Sequence, residues 1–146
     1  MTTHLPLDRN GLEILEPGEC MRLLAGVKIG RLGVSTDSMP LVLPVTFVLD
    51  GTTVVFCSTP GTKLYLALEH AMVAFEADDV DPGLRFGWSV CIAGPARVLR
   101  DDEDLRRVRQ LGLYPWAEVS DPSYIAVEPQ IVTGRRVHRV SAGAQS

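Results

Sequence analysis

The chain has 146 residues, a formal net charge of −4 and an apolar fraction of 46%. These values fit one globular domain and exclude a disordered chain, and the acidic excess argues against a nucleic-acid partner. No apolar run approaches the ~20 residues of a membrane span, and no signal peptide is recognisable. We therefore expect a single domain over residues 1–146, located in the cytoplasm, with no membrane partner.

Cysteine and histidine spacing excludes two further kinds of site. Cys20, Cys57 and Cys91 lie far apart in the sequence, which argues against a disulfide framework. The three cysteines and three histidines also lack the short spacings of a zinc site, so we expect no metal.

The first part of the chain predicts a lead-in segment and one short helix. Residues 1–16 show little periodicity, and we expect them to pack on the domain or to form one short strand. Pro17 then provides a typical helix start, Leu23 and Leu24 follow at helical spacing, and Gly26 provides the stop.

Residues 31–58 predict three antiparallel strands, over 31–35, 41–49 and 53–58. The turns between them contain Pro40 and the dipeptide Asp50-Gly51, a strong hairpin signal. The middle strand is apolar on both faces, as expected for a barrel wall that also contacts a partner.

The central part alternates between helix and strand. Residues 62–70 predict a helix with Thr62 as N-cap, and residues 71–77 predict a strand that ends at the acidic stretch 78–83. Residues 86–100 predict a long strand with a bend at Gly94-Pro95, because proline cannot donate to the ladder.

The last part predicts one more helix and one or two strands. Residues 101–104 are acidic and begin a helix with arginines further along, in agreement with the helix dipole. Residues 124–127 and 131–140 form the strands, interrupted at Pro129, and residues 141–146 form a tail. Six or seven mostly antiparallel strands with three short helices predict a mainly β fold, a small β-barrel with helical decorations.

The strongest local signal for a ligand surrounds the break after the third strand. Ser58 and Thr59 precede the Pro60-Gly61 turn, and Thr62 and Lys63 follow it at a predicted helix start. Hydroxyls, an ammonium group and free backbone N–H groups within one turn are the donors that a phosphate requires. The alternative is a plain strand-to-helix connection with a capping Thr62 and a solvated Lys63.

The order of short motifs resembles that of the pyridoxamine 5′-phosphate oxidase-like family of flavin-binding split barrels, particularly its small actinobacterial-type members. The resemblance covers about four fifths of the chain. It rests on Glu19-Cys20, Leu23-Leu24, residues 29–34, Pro40, residues 44–47, Asp50-Gly51, residues 61–64, residues 73–76, Asp78, residues 87–90, Gly94, Ala96 and residues 133–136.

The resemblance implies a homodimeric, antiparallel split barrel of the FMN-binding type, with the flavin at the subunit interface. Matched by position, the flavin ring would lie along one strand and the ribityl-phosphate arm at the turn, and further contacts would come from across the dimer. The ring residues are Pro44, Val45, Thr46 and Phe47, the phosphate residues are Ser58, Thr59, Thr62 and Lys63, and the remaining ones are Trp88, Ser89 and Arg136.

The resemblance also implies an oxidoreductase acting on a small or aromatic substrate, with the flavin carrying the hydride. No acid/base residue can be assigned, and the C-terminal substrate-binding signature of true pyridoxamine phosphate oxidases is missing. Arg135 and Arg136 alternate in direction, so we expect at most one to reach the flavin and the other to pair with the acidic stretch 78–81. Trp88 and Trp116 can also be explained as core or interface residues.

Two alternatives to an FMN oxidoreductase remain. One is a reductase that uses the deazaflavin F420, whose carboxylate-rich tail needs a basic channel; the shortage of basic residues around Lys63 favours FMN. The other is a flavin-binding or haem-binding module without turnover.

Overall fold

The structure is a computed structural model that describes residues 6–115, 118 and 120–138. Within these residues it contains eight strands and three helices. In chain order they are β1 (Glu13–Ile14), α1 (Pro17–Leu24), β2 (Ile29–Thr36), β3 (Met39–Asp50), β4 (Thr53–Ser58), α2 (Lys63–Leu68), β5 (Met72–Val80), β6 (Phe86–Val98), α3 (Asp102–Arg109), β7 (Ser123–Val127) and β8 (Ile131–His138).

Six of these strands close an antiparallel barrel. Neighbours around the ring are β6, β5, β2, β3, β4 and β7, and β7 pairs back onto β6. Strand β8 also pairs with β6 and carries β1 on its far edge, so two strands extend outside the ring. The mainly β barrel with helical decorations is confirmed.

Strand β6 bends where its sequence contains Gly94-Pro95. Before the bend it pairs with β8 as far as Ala93, and after the bend it pairs with β7 from Ala96 onward. A Cβ on Gly94 would lie 1.7 Å from the carbonyl oxygen of Glu128, so only glycine allows this approach. The predicted bend is confirmed, and it is the place where one strand passes from one sheet to the other.

The barrel interior is a continuous apolar core. Phe47 and Phe75 contact each other edge to face, with ring centroids 4.7 Å apart. A smaller core lies under α3 and contains Val55, Leu99, Val108 and Ala126. Helix α2 begins with the predicted cap, because Thr62 Oγ1 accepts the backbone N–H of Tyr65. Helix α3 begins in the predicted acidic stretch, where the Asp101 carboxylate accepts the backbone N–H of Glu103.

One predicted boundary is wrong. Strand β5 does not end before the acidic stretch but continues to Val80, which pairs with Gly87 on β6. The long partner strand supplies hydrogen bonds along this stretch, and Arg31 on β2 pairs with the carboxylate of Asp78. Trp116 and the predicted tail lie outside the described residues. Within the part of the chain that the structure describes, no helix is long and apolar enough to cross a bilayer.

Candidate functional site

A cleft of about 240 Å³ lies between β3, β4 and the start of α2. We call it the hydroxyl cleft. It brings together six of the residues predicted for the ligand site, namely Pro44, Val45, Thr46, Ser58, Thr59 and Thr62. Its other walls are Leu43, Phe56, Cys57, Leu64 and Pro115, which the sequence did not identify.

Ser58 is the polar group best placed for a ligand in this cleft. Its residue is only 6% exposed, and it is the one polar residue among the buried residues that the structure describes. Among the described residues, no buried side-chain nitrogen or oxygen atom lacks a hydrogen-bond partner, so the Ser58 hydroxyl is not an unsatisfied buried group. Its importance for a ligand comes from its place in the cleft wall, beside Thr59 and the turn before α2.

Thr62 has a structural role that occupies its hydroxyl. Thr62 Oγ1 accepts the backbone N–H of Tyr65 at 3.1 Å and donates to the carbonyl oxygen of Thr59 at 2.9 Å. This arrangement fixes the turn that precedes α2 and borders the cleft. Thr62 therefore shapes the phosphate-type cradle, while Ser58 and Thr59 remain as hydroxyl donors.

Lys63 lies beside the cleft and makes an ion pair. Its Nζ is 2.8 Å from Oδ2 of Asp37, on the turn between β2 and β3, and the side chains are 81% and 75% exposed. Because the two residues are 26 positions apart, sequence spacing could not indicate this pair. An anion in the cleft would compete with Asp37 for the ammonium group.

Thr46 is held by the segment that follows α3. Its Oγ1 donates to the carbonyl oxygen of Tyr114 at 2.6 Å, and Pro115 continues along the cleft wall. Gly112, which follows α3, has a left-handed φ of +74°, a backbone conformation that favours glycine. That glycine after a helix was the only sequence signal for the segment.

Phe47, Trp88, Ser89 and Arg136 do not join the hydroxyl cleft within one chain. The Phe47 ring is in the barrel core, and its N–H donates to the carbonyl of Lys28. Trp88 and Arg136 line a separate cleft of about 350 Å³. Ser89 lies on the opposite sheet face, in register with Asp78 and Arg135.

Both C-terminal arginines bind the N-terminal part of the chain. Arg135 pairs with Asp8 at 3.1 Å, and Arg136 pairs with Glu13 and with Glu19 at 2.7 Å. The prediction that one of these arginines pairs with the acidic stretch 78–81 is therefore wrong. In that stretch, the Asp78 carboxylate pairs with Arg31 on β2. Hydrogen bonds from Arg22 and Arg136 lower the pKa of Glu19 to about 2.

The outer face of the sheet carries an exposed apolar row across five strands. Cross-strand pairing aligns the small or apolar residues Val42, Gly33, Ala74, Ala93 and Ile131. Val42 is 69% and Ile131 is 59% exposed. We call this row the outer face; a patch of this kind marks an interaction surface.

A cluster of charges borders the outer face. Arg31 contacts the carboxylates of Glu76 and Asp78 at 3.2 and 3.3 Å. Burial, followed by the neighbouring Asp78 carboxylate, raises the pKa of Glu76 from 4.5 to about 7.

Comparison with known proteins agrees with this architecture. The family model for pyridoxamine 5′-phosphate oxidase matches residues 16–136. The uncharacterized protein Rv0080 of Mycobacterium tuberculosis is 36% identical over 128 residues, which are 84% of each chain.

Two solved structures are also similar. A FAD-binding protein of Mycobacterium smegmatis is 36% identical with a TM-score of 0.75, over 86% of this chain and 98% of that one. A conserved protein of unknown function from Corynebacterium diphtheriae is 31% identical with a TM-score of 0.73, over 86% and 98% of the two chains.

Proposed function

Because the chain belongs to the pyridoxamine 5′-phosphate oxidase family, we propose that it is a flavin-dependent oxidoreductase that holds FMN in the hydroxyl cleft. The observation that carries this proposal is the hydroxyl cleft itself, which brings six of the predicted ligand residues, including the buried Ser58, into one lining. The substrate is a small molecule that reaches the flavin ring.

The residues of the cleft fit the two chemically different ends of FMN. Ser58 and Thr59 offer hydroxyls to the phosphate, next to the first N–H groups of α2, and Lys63 offers a positive charge once it leaves Asp37. Leu43, Pro44 and Val45 offer an apolar wall to the flavin ring. The flavin supplies hydride transfer when bound, and the protein supplies placement and the exclusion of water.

The size of the cleft supports a site shared by two chains. Its volume of about 240 Å³ is below the ~300 to 1,000 Å³ of ligand pockets. The outer face is uncovered and apolar, and a second copy of the chain would cover it by an isologous contact. We propose that this homodimer completes the site and that the partner subunit contributes Ser89, which lies on the same side of β6 as Ala93 of the outer face.

FAD is a second candidate cofactor, because the similar Mycobacterium smegmatis structure is that of a FAD-binding protein. F420 fits less well: among the described lining residues of the hydroxyl cleft none is basic, whereas its tail carries several carboxylates that need cations. A module that binds flavin or haem without turnover is the alternative from another functional class.

The visible spectrum of the purified protein tests the proposal. We expect oxidised-flavin bands, either at once or after addition of FMN, and titrations with FAD, F420 and haemin rank the alternatives. Ser58→Ala should weaken FMN binding more than riboflavin binding, because riboflavin lacks the phosphate. Failure to bind any flavin would overturn the proposal, and a bound flavin that no electron acceptor reoxidises would favour the non-catalytic module.

A further inference from the structure

A second cleft of about 360 Å³ lies next to the hydroxyl cleft. It is formed by the end of α1 and the residues that follow it, by residues 46–49 of β3 and by residues 111–114. Its walls are mainly apolar and include Leu24, Val27, Val48, Leu49, Leu111 and Leu113. We call it the Lys28 cleft, after the charged residue in its lining.

Thr46 lines both clefts and separates them. Its hydroxyl donates to the carbonyl oxygen of Tyr114 at 2.6 Å, which joins β3 to residues 111–114 at the boundary of the two clefts. The two clefts therefore follow one another along β3, with residues 43–46 lining the hydroxyl cleft and residues 46–49 lining the Lys28 cleft.

The charge of the lining selects the class of ligand. Lys28 is the one ionic side chain among the described lining residues, and none of those residues is a carboxylate. In the part of the chain that the structure describes, Lys28 has no ion-pair partner, whereas Lys63, Arg31 and Arg107 are all paired. An apolar cleft with one uncompensated cation complements an apolar anion.

We propose that the Lys28 cleft binds a small aromatic carboxylate, with the rings between β3 and residues 111–114 and the carboxylate on Lys28. Its role as the substrate site rests on the proposed function, because the ligand then lies beside the flavin ring across Thr46. The volume is within the usual range for small-molecule pockets.

Calorimetric titration with 2-naphthoate and its neutral counterpart 2-naphthamide tests the cleft in the full-length protein. We expect naphthoate to bind about tenfold more tightly, as for one charge-assisted hydrogen bond. Lys28→Met should remove that preference and leave naphthamide binding unchanged. Arg85→Met removes an equal charge outside the cleft lining and should change neither.

A variant that fills the Lys28 cleft with a larger side chain shows whether the probes bind there. Ala25 is exposed at the end of α1 and lines the cleft, so Ala25→Phe should weaken both probes without unfolding the chain. Equal affinities of the wild type for the two probes, or unchanged binding in Ala25→Phe, would overturn the site.

The flavin spectrum separates this inference from the proposed function. Naphthoate should shift the visible bands of the flavin-loaded wild type, and Lys28→Met should bind flavin normally but lose the shift. If flavin binds and naphthoate binds without any shift, the substrate role is wrong and flavin binding stands. If no flavin binds but naphthoate binding depends on Lys28, the proposed function is wrong and the carboxylate site stands.

Discussion

The ammonium group of Lys63 can pair either with Asp37 or with a bound phosphate. Its ammonium group is in solvent and contacts Asp37 across a turn, and exposed ion pairs of this kind contribute little to stability. The ion pair is therefore easily replaced by a phosphate, which offers more negative charge and more acceptors.

We expect Lys63→Ala to weaken FMN binding by about 1.5 kcal/mol, the lower end of the range for a charged hydrogen bond, because the side chain is exposed. Riboflavin should bind equally to both proteins. Asp37→Asn is the matched variant, and it should strengthen FMN binding slightly by releasing Lys63. Fluorescence titration measures both, and unchanged FMN affinity in Lys63→Ala would contradict the phosphate assignment.

Glu76 should make the stability of the protein depend on pH. Its pKa is raised to about 7 by burial and by Asp78, so the folded state binds this proton more tightly than the unfolded state does. Its contribution to stability is thus complete below about pH 4.5 and is lost as the pH rises through about 7.

Glu76→Gln removes this titration. We expect the variant to be more stable than the wild type at pH 8 by about 1 kcal/mol, a figure reduced for the partial exposure of the group and the lost Arg31 contact. At pH 4 the two proteins should be equally stable. Urea unfolding at both pH values measures the difference, and a pH-independent difference would be inconsistent with the raised pKa.

At the scale of elements, the bend in β6 joins the two sheets of the barrel. Strand β6 pairs with β8 before Gly94-Pro95 and with β7 after it. The close approach of Gly94 to the backbone of Glu128 fixes the direction of the chain after the bend. A side chain at this position must displace backbone, which well-packed sheets resist.

Gly94→Ala should therefore destabilise the fold by about 3 kcal/mol or more. Gly26→Ala is the control: its Cβ would lie 3.5 Å from the carbonyl of Leu23, an ordinary contact, and it should change the free energy of unfolding by no more than about 1 kcal/mol. Similar unfolding midpoints for the two variants would refute the role given to Gly94.

Local signals explain which elements could be predicted from the sequence. The Asp50-Gly51 turn, the Thr62 cap, the acidic start of α3 and the Gly94-Pro95 bend depend on neighbouring residues, and all are present in the structure. The extension of β5 to Val80 depends on β6 as a partner strand. Whether a polar stretch continues a strand depends on the hydrogen bonds of the neighbouring strand, so the acidic composition alone gave the wrong boundary.

The same distinction applies to the site. The residues of the hydroxyl cleft come from two strands and a turn, and their motifs were recognisable in order. The contacts of Lys63 with Asp37, of Thr46 with Tyr114 and of Arg136 with Glu19 join positions that are 26 to 117 residues apart. Without the closed barrel, nothing in the sequence indicates these pairs.

At the scale of the whole molecule, the outer face and the small hydroxyl cleft suggest the same assembly. Phe47 was expected near the flavin, but its side chain is only 4% exposed and lies inside the barrel, so a charge there would unfold the monomer. Val42, which lies at the β3 end of the outer face and is 69% exposed, is the position that tests association without disturbing the core.

We expect the wild type to sediment as a dimer at micromolar concentration. Val42→Glu should weaken dimerisation by about 100-fold or more, because an isologous interface buries the new carboxylate twice, and FMN affinity should fall with it. Leu84→Glu adds the same charge to an exposed loop residue outside the face and should leave both unchanged. A monomeric wild type would contradict the shared site.

The chain has only two lysines, Lys28 and Lys63, and each is next to a different cleft. Amine-selective acylation converts an accessible ammonium group to a neutral amide, so peptide masses after brief labelling report each cleft separately in the unmodified natural sequence. Bound flavin should slow the labelling of Lys63, and a bound aromatic carboxylate should slow that of Lys28. The labelling rates of the two lysines thus report the occupancy of the two clefts independently. They can be measured in mixtures in which the spectra of several ligands overlap.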